Sequence, residues 1–239
     1  FKEVDEYITE EHKKKKDKVV PSNEIVMNNE GRLSRKGHRN SVNISDYALS
    51  QYFSRLGIPI RYGKKMLKEE PSLIAEHVNY WADRKEEDLL LRFKEDDEKG
   101  WYLRGVLSDS YTKIDNVYLM SILRTITGQM DLKDKIDVKG FMMNDKKFHL
   151  RATLTEVKND GRDDLQVGVD IENSEVGYSS LKITPLVYRL VCSNGLRIWT
   201  KGNDPYIQRH IHIKESEFKE NVAKKLVAIL YFFILSVIY

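Results

Sequence analysis

From Asn43 onward the apolar residues keep two distinct periods, and the switch between them divides the chain into predicted elements. Tyr47, Leu49, Tyr52, Phe53 and Leu56 recur at three- and four-residue steps, the period of an amphipathic helix. Ser45 or Asn43 can cap that helix, and Asp46 favours its first turn. Gly57 supplies a left-handed stop and Pro59 prevents continuation. A second short helix is predicted over "IRYGKKMLKEE". A third, "PSLIAEHVNYWADRKE", carries Pro71 in its first turn. Leu73, Ile74, His77, Val78 and Trp81 are expected to share one face of it, with His77 at the edge of the core.

The period then becomes two. "DLLLRFKE" and "GWYLRGVLS" read as a hairpin turned through "DDEKG", with Leu89, Leu91 and Phe93 alternating with Leu90 and Arg92. The polar stretch "RGVLSDSYTKIDN", residues 104–116, leads from a strand end to a helix start. Asp115 is the expected N-cap of "NVYLMSILRTIT", whose stripe is Val117, Leu119, Met120, Leu123 and Ile126. Three further strands are predicted in "KIDVKGFMMN", "KKFHLRATLTEV" and "DLQVGVDIENS", with turns at Asn144–Asp145 and Asn159–Asp160–Gly161. The run "SSLKITPLVYRLVCSNGLRIW" fits either a strand or a buried helix. A charged helix is predicted from about Lys214. Together these elements predict an α+β fold: a helical N-terminal part, then a mainly antiparallel sheet with packed helices.

The two ends differ from the middle. Residues 1–42 carry the charge run "EEHKKKKDK" and the polar stretch "NNEGRLSRKGHRN", and are expected as a basic, weakly ordered arm. Arg32, Arg35, Lys36, His38 and Arg39 could serve that arm as phosphate contacts. Residues 43–225 form the predicted α+β domain. The last segment, 226–239, is almost wholly apolar but shorter than the roughly 20 residues a membrane helix needs. A buried terminal element, a truncated membrane segment and a docking tail all remain open for it. The chain opens on Phe1 with no apolar stretch after it, so a fragment or processed product without a signal peptide is expected.

Charge adds little to this picture. The 40 basic and 37 acidic residues leave a net charge of +3, too mild to imply a polyanionic partner without local clustering. The single cysteine, Cys192, excludes an intrachain disulfide and a multi-cysteine zinc site, and suits a reducing, cytoplasmic setting. Its apolar neighbours supply no base, so an inert thiol is expected.

Motifs for established chemistries are absent: no phosphate-binding glycine loop, no dinucleotide fingerprint, no H-E-x-x-H and no nucleophile elbow. His210 and His212 in "RHIH" would share a strand face but lack further ligands nearby. Asp109, Asp115, Glu172 and Glu175 could together hold a divalent cation for phosphoryl chemistry, although acids in such loops more often cap helices and shape turns. Aromatic residues beside cations are the stronger signal. Trp101, Tyr102 and Arg104 fall on one strand, and Tyr111 and Lys113 come next. Tyr188, Arg189, Arg197 and Trp199 mix rings and charge later. Rings that stack bases beside cations that hold phosphates make single-strand binding surfaces.

Four motifs in order, "RLGIPIRYGKKML", "YLRGVLSDSYTKIDN", "ENSEVGYSSLKITPLVYRLVCSNGL" and "RHIH", resemble the phage/plasmid-like protein family (domain of unknown function 932), from about Ser45 to about Ala223. That resemblance implies a product of a phage, plasmid or prophage and raises the expectation of DNA handling. The leading expectation is a nucleic-acid-binding protein without catalytic residues, cofactor or metal, binding or annealing single-stranded DNA as a homo-oligomer and not tied to a membrane. Arg104, Tyr111 and Lys113 would form one wall of the site, and Arg189, Asn194 and Arg197 the other. One alternative is a metal-dependent enzyme on nucleic acid or nucleotides built on the four carboxylates. A second is a protein–protein module in phage–host conflict, docking through the apolar tail.

Overall fold

The computed structural model describes residues 1–98, 100–132, 135–155, 158–159, 164–189, 196–197 and 204–235. They fall into two units, one made of Glu11–Tyr111 and one made of Phe1–Glu10 with Thr112–Tyr239. A first helix, α1 (Lys2–Lys13), starts in the second of these and ends in the first.

In the unit Glu11–Tyr111 the chain forms β1 (Lys15–Pro21), a single 3-10 turn, β2 (Ile25–Met27), β3 (Leu33–Arg35) and β4 (Asn43–Ile44). Three helices come next, α2 (Asp46–Arg55), α3 (Ile60–Glu69) and α4 (Pro71–Ala82). The hairpin β5 (Asp88–Asp96) and β6 (Gly100–Ser108) closes the unit. Four strands pair in the order β1-β5-β6-β4, antiparallel except for β4 with β6, while β2 and β3 make a hairpin of their own. The predicted caps hold: the Ala48 N–H donates to Ser45 Oγ at 3.2 Å, and Gly57 takes a φ of 73° after α2. Helices α2 and α3 approach so closely that a methyl on Gly63 would lie 2.6 Å from the Phe53 ring.

Two expectations are corrected here. Residues 1–42 are not a weakly ordered arm. Lys15–Pro21 pairs along its whole length with β5, and Val20, Ile25, Met27 and Leu33 are buried in the unit's core. The side chain of Asn79 on α4 fastens β2, accepting from the Met27 N–H at 2.7 Å and donating to the Met27 carbonyl at 2.9 Å. The buried face of α4 is Ile74, Ala75, Val78 and Ala82; Leu73, His77 and Trp81 are exposed. Small Ala75 and Ala82 let the helix sit close, which turns the large residues beside them outward.

The second unit holds the start of α1, then α5 (Asn116–Gln129), β7 (Ile136–Met143), β8 (Phe148–Leu154), β9 (Lys158–Asn159), β10 (Asp164–Asn173), β11 (Leu181–Arg189), β12 (Leu196–Arg197), β13 (Tyr206–Gln208) and α6 (Glu215–Leu235). The antiparallel sheet runs β12-β11-β10-β8-β7, with β13 also on β11 and β9 on β10. The run around Leu181 is therefore a strand. Its Pro185 falls between the segment paired to β13 and the segment paired to β12, an interval in which a missing N–H is tolerated.

Alternation decides the core. Phe148, Leu150, Ala152 and Leu154 of β8 and Val167, Val169 and Ile171 of β10 bury against Leu119, Met120, Leu123 and Ile126 of α5, Phe218 and Val222 of α6, and Ile8 of α1. Leu226 and Ile229 belong to this core too, so α6 runs unbroken across the composition boundary at 226. Residues 236–239 lie outside the described residues, as do Asp160, Gly161 and Cys192. Among the described residues no helix is long and apolar enough to cross a membrane. The fold is α+β, with antiparallel sheets and packed helices, as predicted.

Candidate functional site

The stretch 104–116 is divided between the two units, with the boundary between Tyr111 and Thr112. Arg104 is 3% exposed and Tyr111 8%, so neither side chain is offered to solvent, and the expected wall built from them is corrected. Arg104 lies within a run buried at every position from Leu103 to Leu107, so alternation cannot bring its side chain out, and Tyr111 packs with Leu90 and Leu107. Lys113 is exposed, in the other unit. Arg189 lies on β11 opposite Leu196, and Arg197 on β12 opposite Tyr188; Asn194 is outside the described residues.

Beyond Tyr111 the chain enters a buried polar lattice. The Asn116 N–H, the first of α5, donates to Glu175 Oε1 at 2.9 Å. Asp115 stands at the N-cap, as predicted, but its side chain makes no cap bond. Asn173 Nδ2 donates to the Ile114 carbonyl at 3.0 Å and to Asn116 Oδ1 at 2.9 Å. His210 closes the lattice, with Nε2 3.0 Å from Asn173 Oδ1 and Nδ1 3.0 Å from the Thr112 carbonyl. Both ring nitrogens thus face oxygen acceptors, an arrangement that the doubly protonated imidazole satisfies. Asn116, Asn173, Glu175 and His210 are all buried. Three of the four motifs singled out in the sequence meet here, and their polar residues hold the fold of this unit together.

This lattice also disperses the proposed metal ligands. Glu175 receives a backbone N–H, and Glu172 pairs with Lys147 at 2.7 Å, a hydrogen bond that holds the Lys147 ammonium above its ordinary range. Asp109 lies in the other unit and accepts from Ser108 Oγ at 3.2 Å. His212 is exposed at a φ of 58° while His210 is buried, so the two do not share a strand face. Among the described residues no three His, Cys, Asp or Glu side chains converge on a metal position. Nearby, Asp170 accepts from His149 Nε2 and, at 2.9 Å, from Arg151 Nη2, a cluster that alternation on β8 and β10 places on the sheet face away from the helices.

The arrangement with the clearest binding chemistry lies within the unit Glu11–Tyr111. A cleft of about 640 Å³ opens over one face of its four-stranded sheet. Lys16, Lys18 and Val20 project from alternate positions of β1, opposite Phe93, Leu91 and Leu89 of β5; Phe93 in turn faces Leu103 of β6. Phe93, Trp101, Leu91 and Leu103 give the cleft an apolar floor. Lys16, Lys18, Arg35 and His38 stand around it, and none of the lining residues is acidic. Lys16 Nζ is 4.3 Å from the centroid of the Trp101 ring, so ring and cation are adjacent. Arg35 Nε donates to Glu24 at 2.5 Å, while Lys16 and Lys18 make no ion pair with any described residue.

Sequence reasoning misses Lys16 and Lys18, which read as part of a solvated charge run. The signal is the two-residue step Lys16, Lys18, Val20, which marks a strand face rather than a tail. Arg35 and His38 are expected as phosphate contacts of an arm; the structure places them on the rim of a cleft.

No curated protein and no solved structure matches the chain. A family model described as a domain of unknown function (DUF932) matches residues 104–231, from within β6 into α6. The match leaves out the first of the four motifs and the cleft's lining residues, and takes in the whole buried lattice. It spans more than half of the 239 residues, and the chain belongs to the DUF932 family.

Proposed function

We propose that the protein binds single-stranded nucleic acid in the cleft of the unit Glu11–Tyr111. The observation that carries this reading is an apolar, aromatic floor surrounded by cations and free of acidic lining residues. Lys16 and Lys18 hold consecutive phosphates, and a base unstacked from its neighbours lies on Trp101 or Phe93. A duplex presents its phosphates outside and its bases stacked inside, and cannot use the floor. A volume of about 640 Å³ suits a few bases and not a paired helix. The phage or plasmid origin that the motif resemblance implies agrees with a role in handling single-stranded DNA. The metal-dependent alternative is not favoured, since among the described residues no three His, Cys, Asp or Glu side chains converge on a metal position, and Glu172 and Glu175 are engaged with Lys147 and the Asn116 N–H.

Fluorescence anisotropy with a labelled oligothymidylate tests the reading. Affinity should fall steeply with salt. The double variant Lys16→Ala/Lys18→Ala should reduce the slope of log affinity against log salt by about 1.4, at about 0.7 per phosphate contact on a single strand. Trp101→Ala should cost about 1–3 kcal/mol of binding, and Trp101→Phe should restore part of it. Binding that ignores salt, or that is unchanged in both the lysine and the tryptophan variants, overturns the proposal.

A further inference from the structure

The outer face of α4 carries a set of large residues that the unit leaves in solvent. Leu73 is 41% exposed, Tyr80 51% and Trp81 47%, and His77 is exposed between them. Tyr62 of α3, itself 41% exposed, extends the surface, its ring stacked near His77 at a centroid distance of 6.4 Å. Isolated exposed apolar residues need no explanation, but contiguous aromatic ones mark an interaction surface. The face is also held in shape. The Arg84 guanidinium lies 3.5 Å from the centroid of the Tyr80 ring and donates to the Tyr80 carbonyl at 3.0 Å. Tyr80 and Trp81 pack edge to face, 5.2 Å between centroids.

The charges say what covers it. Acids flank the start of α4, with Glu69 and Glu70; at its end the bases Arg84 and Lys85 follow Asp83, which is paired with Lys36 at 2.5 Å. In sequence these positions are symmetric about His77, with Leu73 and Trp81 within α4 and the charged residues just outside its two ends. Leu73 and Trp81 stand four residues before and after it, Glu70 and Arg84 seven, Glu69 and Lys85 eight. A second copy of the same face, laid antiparallel across a two-fold axis at His77, would set Leu73 of each copy on Trp81 of the other. Glu70 would meet Arg84, and Glu69 would meet Lys85. Self-complementarity of this kind is what an isologous interface requires. Glu70 and Lys85 make no ion pair with any described residue, and Glu69 has only a 3.7 Å contact to Lys65.

We propose that α4 mediates homodimerisation, antiparallel about His77, with Leu73, Tyr80 and Trp81 as its apolar centre and Glu70–Arg84 as its paired charges. The inference stands independently of nucleic-acid binding in the cleft.

Sedimentation velocity of the full chain over a concentration series tests it, with circular dichroism confirming that each variant is folded. The wild type should show a monomer–dimer equilibrium. Tyr80→Ala/Trp81→Ala should raise the dimer dissociation constant about tenfold or more, as loss of buried aromatic anchors does. Arg84→Glu should weaken the dimer, and Arg84→Glu/Glu70→Arg should restore it. A wild type that stays monomeric at every concentration, or a dimer indifferent to these variants, overturns the proposal. So does a failed charge-reversal rescue. If Tyr80→Ala/Trp81→Ala lowers affinity for the oligothymidylate at unchanged mass, the face serves nucleic acid and the dimer proposal is overturned.

Discussion

A methyl group placed on Gly168 would lie 2.2 Å from the carbonyl oxygen of Ala152 and 2.9 Å from Cα of Thr153, both backbone atoms of the adjoining strand. Neither can move without displacing β8 from β10. On Gly128, near the end of α5, the same methyl meets nothing within 4 Å. The two glycines therefore predict opposite outcomes. Gly168→Ala should destabilise the protein by about 1–3 kcal/mol through overpacking, and Gly128→Ala should stabilise it by roughly 0.5–1 kcal/mol by removing helix-interior glycine. Urea unfolding followed by circular dichroism would read both. Equal effects of the two substitutions would show that strand proximity is not what selects Gly168. Nothing local in "QVGVD" or "ITGQM" separates these positions, because the distinction is made by a strand some fifteen residues away in sequence.

Elements were legible where their signals are local, and less so where a distant partner decides. Ser45, Gly57, Pro59 and Pro71 bound their helices as predicted, since caps and stops act within one turn. The α5 boundary and its N-cap residue, Asp115, are as predicted, but the side chain that accepts at the helix start is another acid's. Asp115 is the adjacent carboxylate, yet Glu175, on the loop after β10, accepts the Asn116 N–H. That exchange gives a test at the scale of the element. Glu175→Ala leaves a buried N–H unsatisfied and removes a negative charge from a helix N-terminus, at a cost of about 1–3 kcal/mol. Asp115→Ala removes no cap bond and should cost less. Thermal denaturation of the two variants would compare them, and a larger loss from Asp115→Ala would refute the assignment. The cleft escaped the sequence for a related reason. Its rim is assembled from β1, β3 and the segment after β3, and a charge run looks alike whether it is solvated or half of a strand alternates into a pocket.

At the scale of the whole molecule, the two units differ in how the chain supplies them. The unit Glu11–Tyr111 is one continuous stretch, and its buried residues from Val20 to Tyr111 pack among themselves in two clusters. Its edge strand β1 is present in full, and the contact of Glu11 with Lys94 at 2.9 Å is internal to it. The other unit needs both ends of the chain. Ile8 is fully buried in its core, and Asp5 takes two hydrogen bonds from Arg124 of α5, at 2.8 Å from Nε and 2.7 Å from Nη2. A fragment of residues 11–111 should therefore fold cooperatively by itself. If the cleft is the binding surface, the fragment should also keep the salt-dependent affinity of the full chain for an oligothymidylate. A fragment of residues 112–239 should lose stability, because leaving Ile8 out opens a cavity beside α5 that costs about 2–5 kcal/mol for a side chain of that size. Adding a synthetic peptide of residues 1–14 should recover part of that loss. Dispersed amide resonances and a single sharp melt for the first fragment, with a broad or absent melt for the second, would bear out this division. A first fragment that stays unfolded would mean that its two clusters depend on the rest of the chain. A folded first fragment without affinity would move the binding function out of the cleft.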